Sequence, residues 1–249
     1  MDKAIYLAAN GAVQDLQALQ LRANNLANAS TIGFRKDLEE ARSMQAYGDG
    51  LPTRVFAMVE RPSYSFEEGS VITTDRDLDV AIKGDGWISI LDNSGAEGLT
   101  RVGNLHIDQV GMLKNIHGHR ILGELNTPIF IPLPIEKIEI ASDGTISVLP
   151  QGAPPEEMEI IDRIKLVRPD NNALFKDNNG VFKPIEQGAQ FEADAAVKLL
   201  TGAVEGSNVN AVAEMTGLID LQRQFEILIK LMKQAEEMDQ ASNSLLQMG

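Results

Sequence analysis

The sequence predicts an α+β protein, with long N- and C-terminal helices pairing as a coiled coil and a mainly antiparallel β domain inserted between them. Three observations predict it. All ten prolines fall between Pro52 and Pro184, and because proline breaks helices and strand ladders alike, only the two ends are free to form long helices. At both ends, apolar or small residues recur at alternating spacings of three and four, as in a heptad stripe. Between about residues 70 and 195, short β-branched runs are separated by Gly, Asp and Asn, which is hairpin punctuation.

The N-terminal stripe runs through Ile5, Ala9, Ala12, Leu16, Leu19, Ala23 and Leu26. It predicts a helix of about 25 residues, ~37 Å long. The helix should stop near Asn28 to Gly33, where Ser30, Thr31 and Gly33 favour caps and turns and Asn28 tolerates a left-handed backbone. Phe34 follows as an anchor outside it. Ala8, Ala9, Gly11 and Ala12 form a patch of small residues that lets another backbone approach.

The C-terminal stripe is Leu218, Leu221, Phe225, Leu228, Met232 and Ala235, eroded by Asp239 and Ser242 before Leu246. Ser207 or Asn208 is expected to cap this helix. Ile227, Ile229 and Leu231 are apolar but lie off the stripe, so a simple helix pair leaves them uncovered.

In the middle, strands are expected at Asp79 to Ile82, Trp87 to Ile90, Ile138 to Ile140, Thr145 to Val148, Ile164 to Val167 and Gly180 to Phe182. Asp85-Gly86, Asn93-Ser94-Gly95, Asp143-Gly144 and Asn179-Gly180 sit where hairpins need positive φ. The expected organisation is an N-terminal core helix over 1–35, an extended connector over 36–69, a β-rich outer domain over 70–200 and a C-terminal core helix over 201–249. The connector holds Tyr47 to Pro52 and Arg61-Pro62-Ser63, and residues 150–158 read as an exposed loop.

Composition narrows the function. The chain has 249 residues, 43% hydrophobic and 23% charged, which excludes wholesale disorder. Twenty-two basic against thirty-six acidic side chains leave a formal charge of -14, the wrong sign for binding nucleic acid or an anionic membrane. There is no cysteine, hence no disulfide or thiolate chemistry, and an oxidising compartment poses no hazard. Apolar runs such as Ile129 to Pro134 fall well short of the ~18 residues that cross a bilayer. The N-terminal stretch, broken by Asn10, Gln14 and Asp15, lacks the continuous apolar segment of a cleaved signal peptide.

Catalytic and cofactor patterns fail on inspection. His117-Gly118-His119 offers two imidazoles without a third ligand, the pattern of a hairpin tip. Asp75 to Asp79 imitates a calcium loop, but Val80 and Gly86 stand where glycine and glutamate are needed. Gly84-Asp85-Gly86 has neither the third glycine nor the helix of a dinucleotide fingerprint, and no Gly-x-Ser-x-Gly elbow occurs. The expectation is no enzyme, no cofactor and no metal. Asparagine clusters remain: Asn24, Asn25 and Asn28 at one end, and Asn208 and Asn210 at the other. Caps explain part of this set, but Asn24 and Asn25 fall inside the first helix, where asparagine is unfavourable and a carboxamide can bridge a helix interface.

Several motifs in order resemble the axial proteins of the bacterial flagellum. They are Ala23-Asn24-Asn25-Leu26-Ala27-Asn28 with Thr31-Ile32-Gly33-Phe34-Arg35; Leu78 to Trp87; Thr100-Arg101 with Gly103; Ile140 to Ser147; and Gly202-Ala203-Val204-Glu205-Gly206-Ser207-Asn208-Val209-Asn210. The opening Met1 to Tyr6, the length and Asp85-Gly86-Trp87 resemble the proximal-rod type within that family, with a distal-rod or hook subunit as the alternative. Thr73-Thr74-Asp75-Arg76 departs from the Thr-Gly-Arg or Thr-Gly-Asn of relatives.

The resemblance implies a structural subunit of the basal-body proximal rod. It would be exported without a cleaved signal peptide by the flagellar type III apparatus and assembled helically in the periplasm to pass torque from motor to hook and filament. Implied partners are proximal-rod neighbours, the distal-rod protein FlgG, further copies of the chain and the export apparatus. The two stripes, Asn24, Asn25, Asn28, Gly33, Phe34, Asn208 and Asn210 are the expected interaction residues, and the end helices are expected to gain full order only on assembly.

Overall fold

The computed structural model describes residues 2–38, 41–45, 55–59, 63–154, 157–177, 179–186 and 188–247. The connector residues Tyr47 to Pro52, Arg61 and Pro62, and the loop residues Pro155 and Glu156, lie outside them. The chain divides into two compact units. The first comprises residues 1–29, 35–65 and 209–249, the second residues 30–34 and 66–208.

The first unit is built on α1, Asp2–Ala27, and α2, Ala211–Gln247. Asn210 caps α2, its Oδ1 accepting from the amides of Val212 and Ala213, both at 3.1 Å. The cap is thus neither Ser207 nor Asn208, because α2 begins only at Ala211. At the end of α1, the Asn28 amide donates to the carbonyls of Asn24 and Asn25, both at 3.1 Å. Among the described residues only Asp75 and Asn126 are non-glycines at positive φ, so Asn28 is not left-handed. Two short ladders complete the unit, Asp37–Leu38 with Ser63–Tyr64 and Ala41–Gln45 with Val55–Val59, both antiparallel.

The helices run antiparallel. Arg22 near the end of α1 meets Glu214 and Gly217 near the start of α2, while Gly11 faces Leu228. The expected coiled coil of two apolar stripes is not what forms. On α2 the predicted stripe is half-buried, but on α1 Leu16 is 45% exposed and Ala23 is exposed, while Ala12, Ala18 and Asn25 are the buried positions. Gly11 and Arg22 meet α2 directly, between the buried positions Ala12, Ala18 and Asn25. Of the three buried positions only Ala12 belongs to the predicted stripe, while its members Leu16 and Ala23 are exposed. Small residues there let α2 approach closely: a Cβ on Gly11 would lie 3.3 Å from Leu228 Cδ1. Close backbone approach and polar pairing, not knobs from two apolar stripes, set this contact.

The second unit is antiparallel β throughout its described strands. Trp87–Leu91 is central, pairing with Glu97–Thr100, Arg120–Ile121 and Leu166–Val167. The sheet extends through Phe182–Pro184 to Leu174–Lys176 on one side, and through Leu113–Asn115 to Leu105–Ile107 on the other. Ile135–Ile140, Thr145–Pro150 and Glu159–Arg163 form a separate three-stranded sheet. Val80–Lys83 pairs with Lys198–Thr201, and Val71–Thr73 with Ala203–Glu205. Ile88, Ile90, Leu113, Ile121, Ile129, Ile146 and Ile164 fill one core. Burial on both faces explains why these runs are β-branched with little polar alternation. The expected turn glycines Gly86, Gly95, Gly144 and Gly180 all adopt positive φ.

The departure at Asp75 now has a geometry. Its φ is +55°, and its amide and that of Thr74 both donate to Gly202 O, at 3.0 and 2.8 Å. An L-residue held left-handed costs about 1 kcal/mol that glycine does not. Asp75→Gly is therefore expected to stabilise the chain by about 1 kcal/mol, measured by denaturant unfolding.

Candidate assembly surface

The covered side of the helix pair is polar at one end. Glu214 is fully buried and takes ion pairs from Arg22, at 3.3 Å, and from Lys36. Arg22 reaches it over the backbone of Gly217, where any side chain would occupy the place of the guanidinium. Further along α1, Gln14 Oε1 and Asp15 Oδ2 are buried with no hydrogen-bond partner among the described residues, and burial pushes the Asp15 carboxyl above the usual carboxylate range. Arg22, Glu214 and Lys36 were not singled out in the sequence. The signal was there in form: a lone acid in the otherwise apolar Ala211-Val212-Ala213-Glu214-Met215 run.

The outward sides are apolar. On α2, Val212, Met215, Ile219, Ile227, Leu231 and Met238 are all exposed, Val212 by 74%, and their spacings hold them to one side of the helix. Ile229 is exposed as well. On α1, Tyr6, Leu7, Val13 and Leu16 are exposed. The surplus expected at Ile227, Ile229 and Leu231 is thus present, and it extends beyond them. Of the other predicted interaction residues, Ile5, Ala9, Leu19 and Leu26 on α1 and Leu218, Leu221, Phe225, Leu228, Met232 and Ala235 on α2 are half-buried.

The asparagines are largely occupied within the chain. Asn25 is fully buried and clamps the backbone of Asp37: its Nδ2 donates to Asp37 O at 2.8 Å, and its Oδ1 accepts from the Asp37 amide at 2.9 Å. Asn24 Nδ2 donates to Asp37 Oδ2, and Asn28 Nδ2 donates to Asn24 O and Oδ1. This accounts physically for asparagine inside a helix: the carboxamide replaces a strand partner for residue 37. In the second unit, Asn208 Nδ2 donates to Glu67 O at 2.9 Å, and the Gly33 amide donates to Glu205 O at 2.7 Å. The Phe34 ring lies under Lys176 Nζ at 3.9 Å.

His117 and His119 flank a hairpin tip. Gly118, at positive φ, turns between Leu113–Asn115 and Arg120–Ile121. Asn115 Oδ1 accepts from the amides of His117 and His119. Among the described residues no group of three or more His, Cys, Asp or Glu side chains could hold a metal ion. Burial, with the nearby His117 and Lys183 charges, lowers the His119 pKa below 6.5 against the opposing pull of Asp92. A lowered folded pKa means the unfolded chain binds the proton more readily. Stability from this group is therefore whole above pH 6.5 and declines as pH falls below it. Urea midpoints of the native chain should drop between pH 7 and 5 by more than those of His119→Gln.

Comparison with known proteins accords with this arrangement. The family described as Flagellar basal body rod FlgEFG protein C-terminal matches residues 200–245, and that described as Flagellar hook protein FlgE/F/G D1 domain matches residues 81–148. The chain is 39% identical to the flagellar basal-body rod protein FlgF of Salmonella typhimurium and 38% identical to that of Escherichia coli, over the whole of each chain. It is 30% identical to the rod protein FlgG of Caulobacter vibrioides, covering 98% of this chain and 99% of the relative. Full-length identity is thus higher to FlgF, and the chain belongs to the FlgF family of flagellar basal-body rod proteins.

Proposed function

We propose that the exposed apolar faces of α1 and α2 are the surfaces through which this structural rod subunit joins other axial proteins of the basal body. The single observation that carries the proposal is the row from Val212 to Met238, left bare on a helix whose other side is already used. A row of this length on a water-soluble chain needs cover. Contacts that repeat head to tail without closing generate a helical shaft, and a shaft of packed helices passes torque along its wall. The family's place in the basal body and the cysteine-free composition fit export by the type III apparatus and assembly in the periplasm. Neighbours would be proximal-rod proteins, distal-rod FlgG and further copies of the chain.

Ile219 is 52% exposed, so Ile219→Glu should leave the purified chain as stable as wild type while abolishing swimming of cells that carry it. Normal swimming with Ile219→Glu would contradict the proposal. Loss of swimming with a lowered melting temperature would point to misfolding instead, and Val13→Glu on α1 then supplies the independent check.

A further inference from the structure

Four segments far apart in sequence meet inside the second unit. Arg101, 4% exposed, pairs with Glu205, 2% exposed, at 2.8 Å, and also donates to Gly84 O at 2.9 Å. Its guanidinium carbon lies 5.4 Å from the centre of the Trp87 ring. Glu205 Oε1 accepts from the Gly69 amide at 2.9 Å, and Glu205 O accepts from the Gly33 amide. Gly206 donates to Ser70 O at 2.7 Å, and Asn208 donates through its amide to Phe34 O and through Nδ2 to Glu67 O. Packing is equally close: a Cβ on Gly33 would lie 2.5 Å from Arg101 C, and one on Gly69 would overlap Gly206 O. Phe66 closes the cluster edge-on against Trp87 at 6.1 Å.

Residues 30–34, 66–70 and 203–208 are all the segments by which the chain enters or leaves this unit. We propose that they form one clasp, centred on the Arg101–Glu205 pair, which docks and releases all three together. The reason is mutual dependence. Glu205 serves Gly33 with its backbone and Gly69 with its side chain, so neither segment keeps its partner once Glu205 moves. Glu205 in turn stays buried only while Arg101 neutralises it. In a buried polar network the loss of one member leaves the others unpaired at high cost, and such clusters open as units below the global unfolding limit. The clasp thereby couples the order of the chain's N-terminal, connecting and C-terminal segments.

Native-state hydrogen exchange on the full chain tests this. Glu205→Gln and Gly33→Ala disturb the clasp from different segments. Either is expected to speed exchange at the amides of Gly33, Gly69, Gly206 and Asn208 by about tenfold, leaving Leu113 and Ile129, bonded deep in the core, within about twofold of wild type. Should Gly33→Ala expose only Gly33 and Asn208 while Gly69 and Gly206 stay protected, the segments dock independently and the clasp is refuted. A joint rise at Leu113 and Ile129 would refute it too, because the opening would then be global. If either variant fails to fold, a denaturant series on the wild-type chain decides. The four amides must share one opening free energy, lower than that of Leu113 and Ile129, and scattered values would overturn the proposal.

Discussion

Gly103→Ala is expected to leave the chain without a folded second unit. Gly103 accepts from the Val80 amide at 2.9 Å, and a Cβ placed on it would overlap the Val80 carbonyl oxygen. The obstacle is backbone on a fully buried strand, Val80 being 0% exposed, so no side-chain rotation relieves it. Forcing Val80–Lys83 outward breaks its ladder with Lys198–Thr201 and opens the core along Val80 and Ile82. Overpacking alone costs about 1 to 3 kcal/mol, and the lost ladder adds to it. The measurement is near-ultraviolet circular dichroism of Trp87, the chain's one tryptophan. The fixed-environment signal should vanish in Gly103→Ala at temperatures where wild type retains it.

Glu205→Ala should be nearly as damaging, and for an electrostatic reason. It strands the Arg101 guanidinium in a site where it is 4% exposed, with Nε already lacking a partner. Removing one member of a buried ion pair typically costs about 3 to 5 kcal/mol, because the surviving charge is left without compensation. Replacing both members removes that charge, so Arg101→Met combined with Glu205→Met should recover much of the loss. Urea unfolding of Arg101→Met, Glu205→Met and the double variant completes the cycle, with a coupling of roughly 2 kcal/mol or more expected.

These two positions also show what the sequence made legible. Arg101, Gly103 and Glu205 stood out as members of motifs, yet neither composition nor spacing indicated that they meet. That requires bringing residues 104 positions apart in the chain to 2.8 Å, a tertiary fact with no local signature. The helices were legible because a 3.6-residue period survives in a single stretch of chain, and the turns because glycine at positive φ is a local requirement.

What misled was the identity of the covered face on α1. An apolar stripe from Ile5 to Leu26 normally marks the inward side, but here Gly11 and Arg22 meet α2 while Leu16 and Ala23 of the stripe are exposed. Hydrophobic periodicity reports that a face will be covered. It does not report by which molecule. On α1 the contact with α2 uses the small residue Gly11 and the charged Arg22, while Tyr6, Leu7, Val13 and Leu16 stay exposed. Asn25 had no local signal for its partner: a carboxamide inside a helix left bridging within or between chains open, and its bonds here go to Asp37 of the same chain.

The same reasoning bears on the order of the helices before assembly. Glu214 is the only fully buried residue of α2 among those described, and half-buried contacts along one side leave a small margin over the ordering cost of about 1 to 2 kcal/mol per residue. Far-ultraviolet circular dichroism should therefore show less helix in the purified chain than the two helices would give when fully formed, with the deficit recovered on assembly.

Photo-crosslinking in isolated basal bodies asks most directly what covers the bare helix faces. With a photoreactive residue at Val13 or Ile219, irradiation should yield adducts with other axial proteins or with a second copy of the chain, and the same variants free in solution should yield none. Basal bodies in which both positions react only with water, giving no protein adduct, would contradict the assignment of these faces to rod assembly.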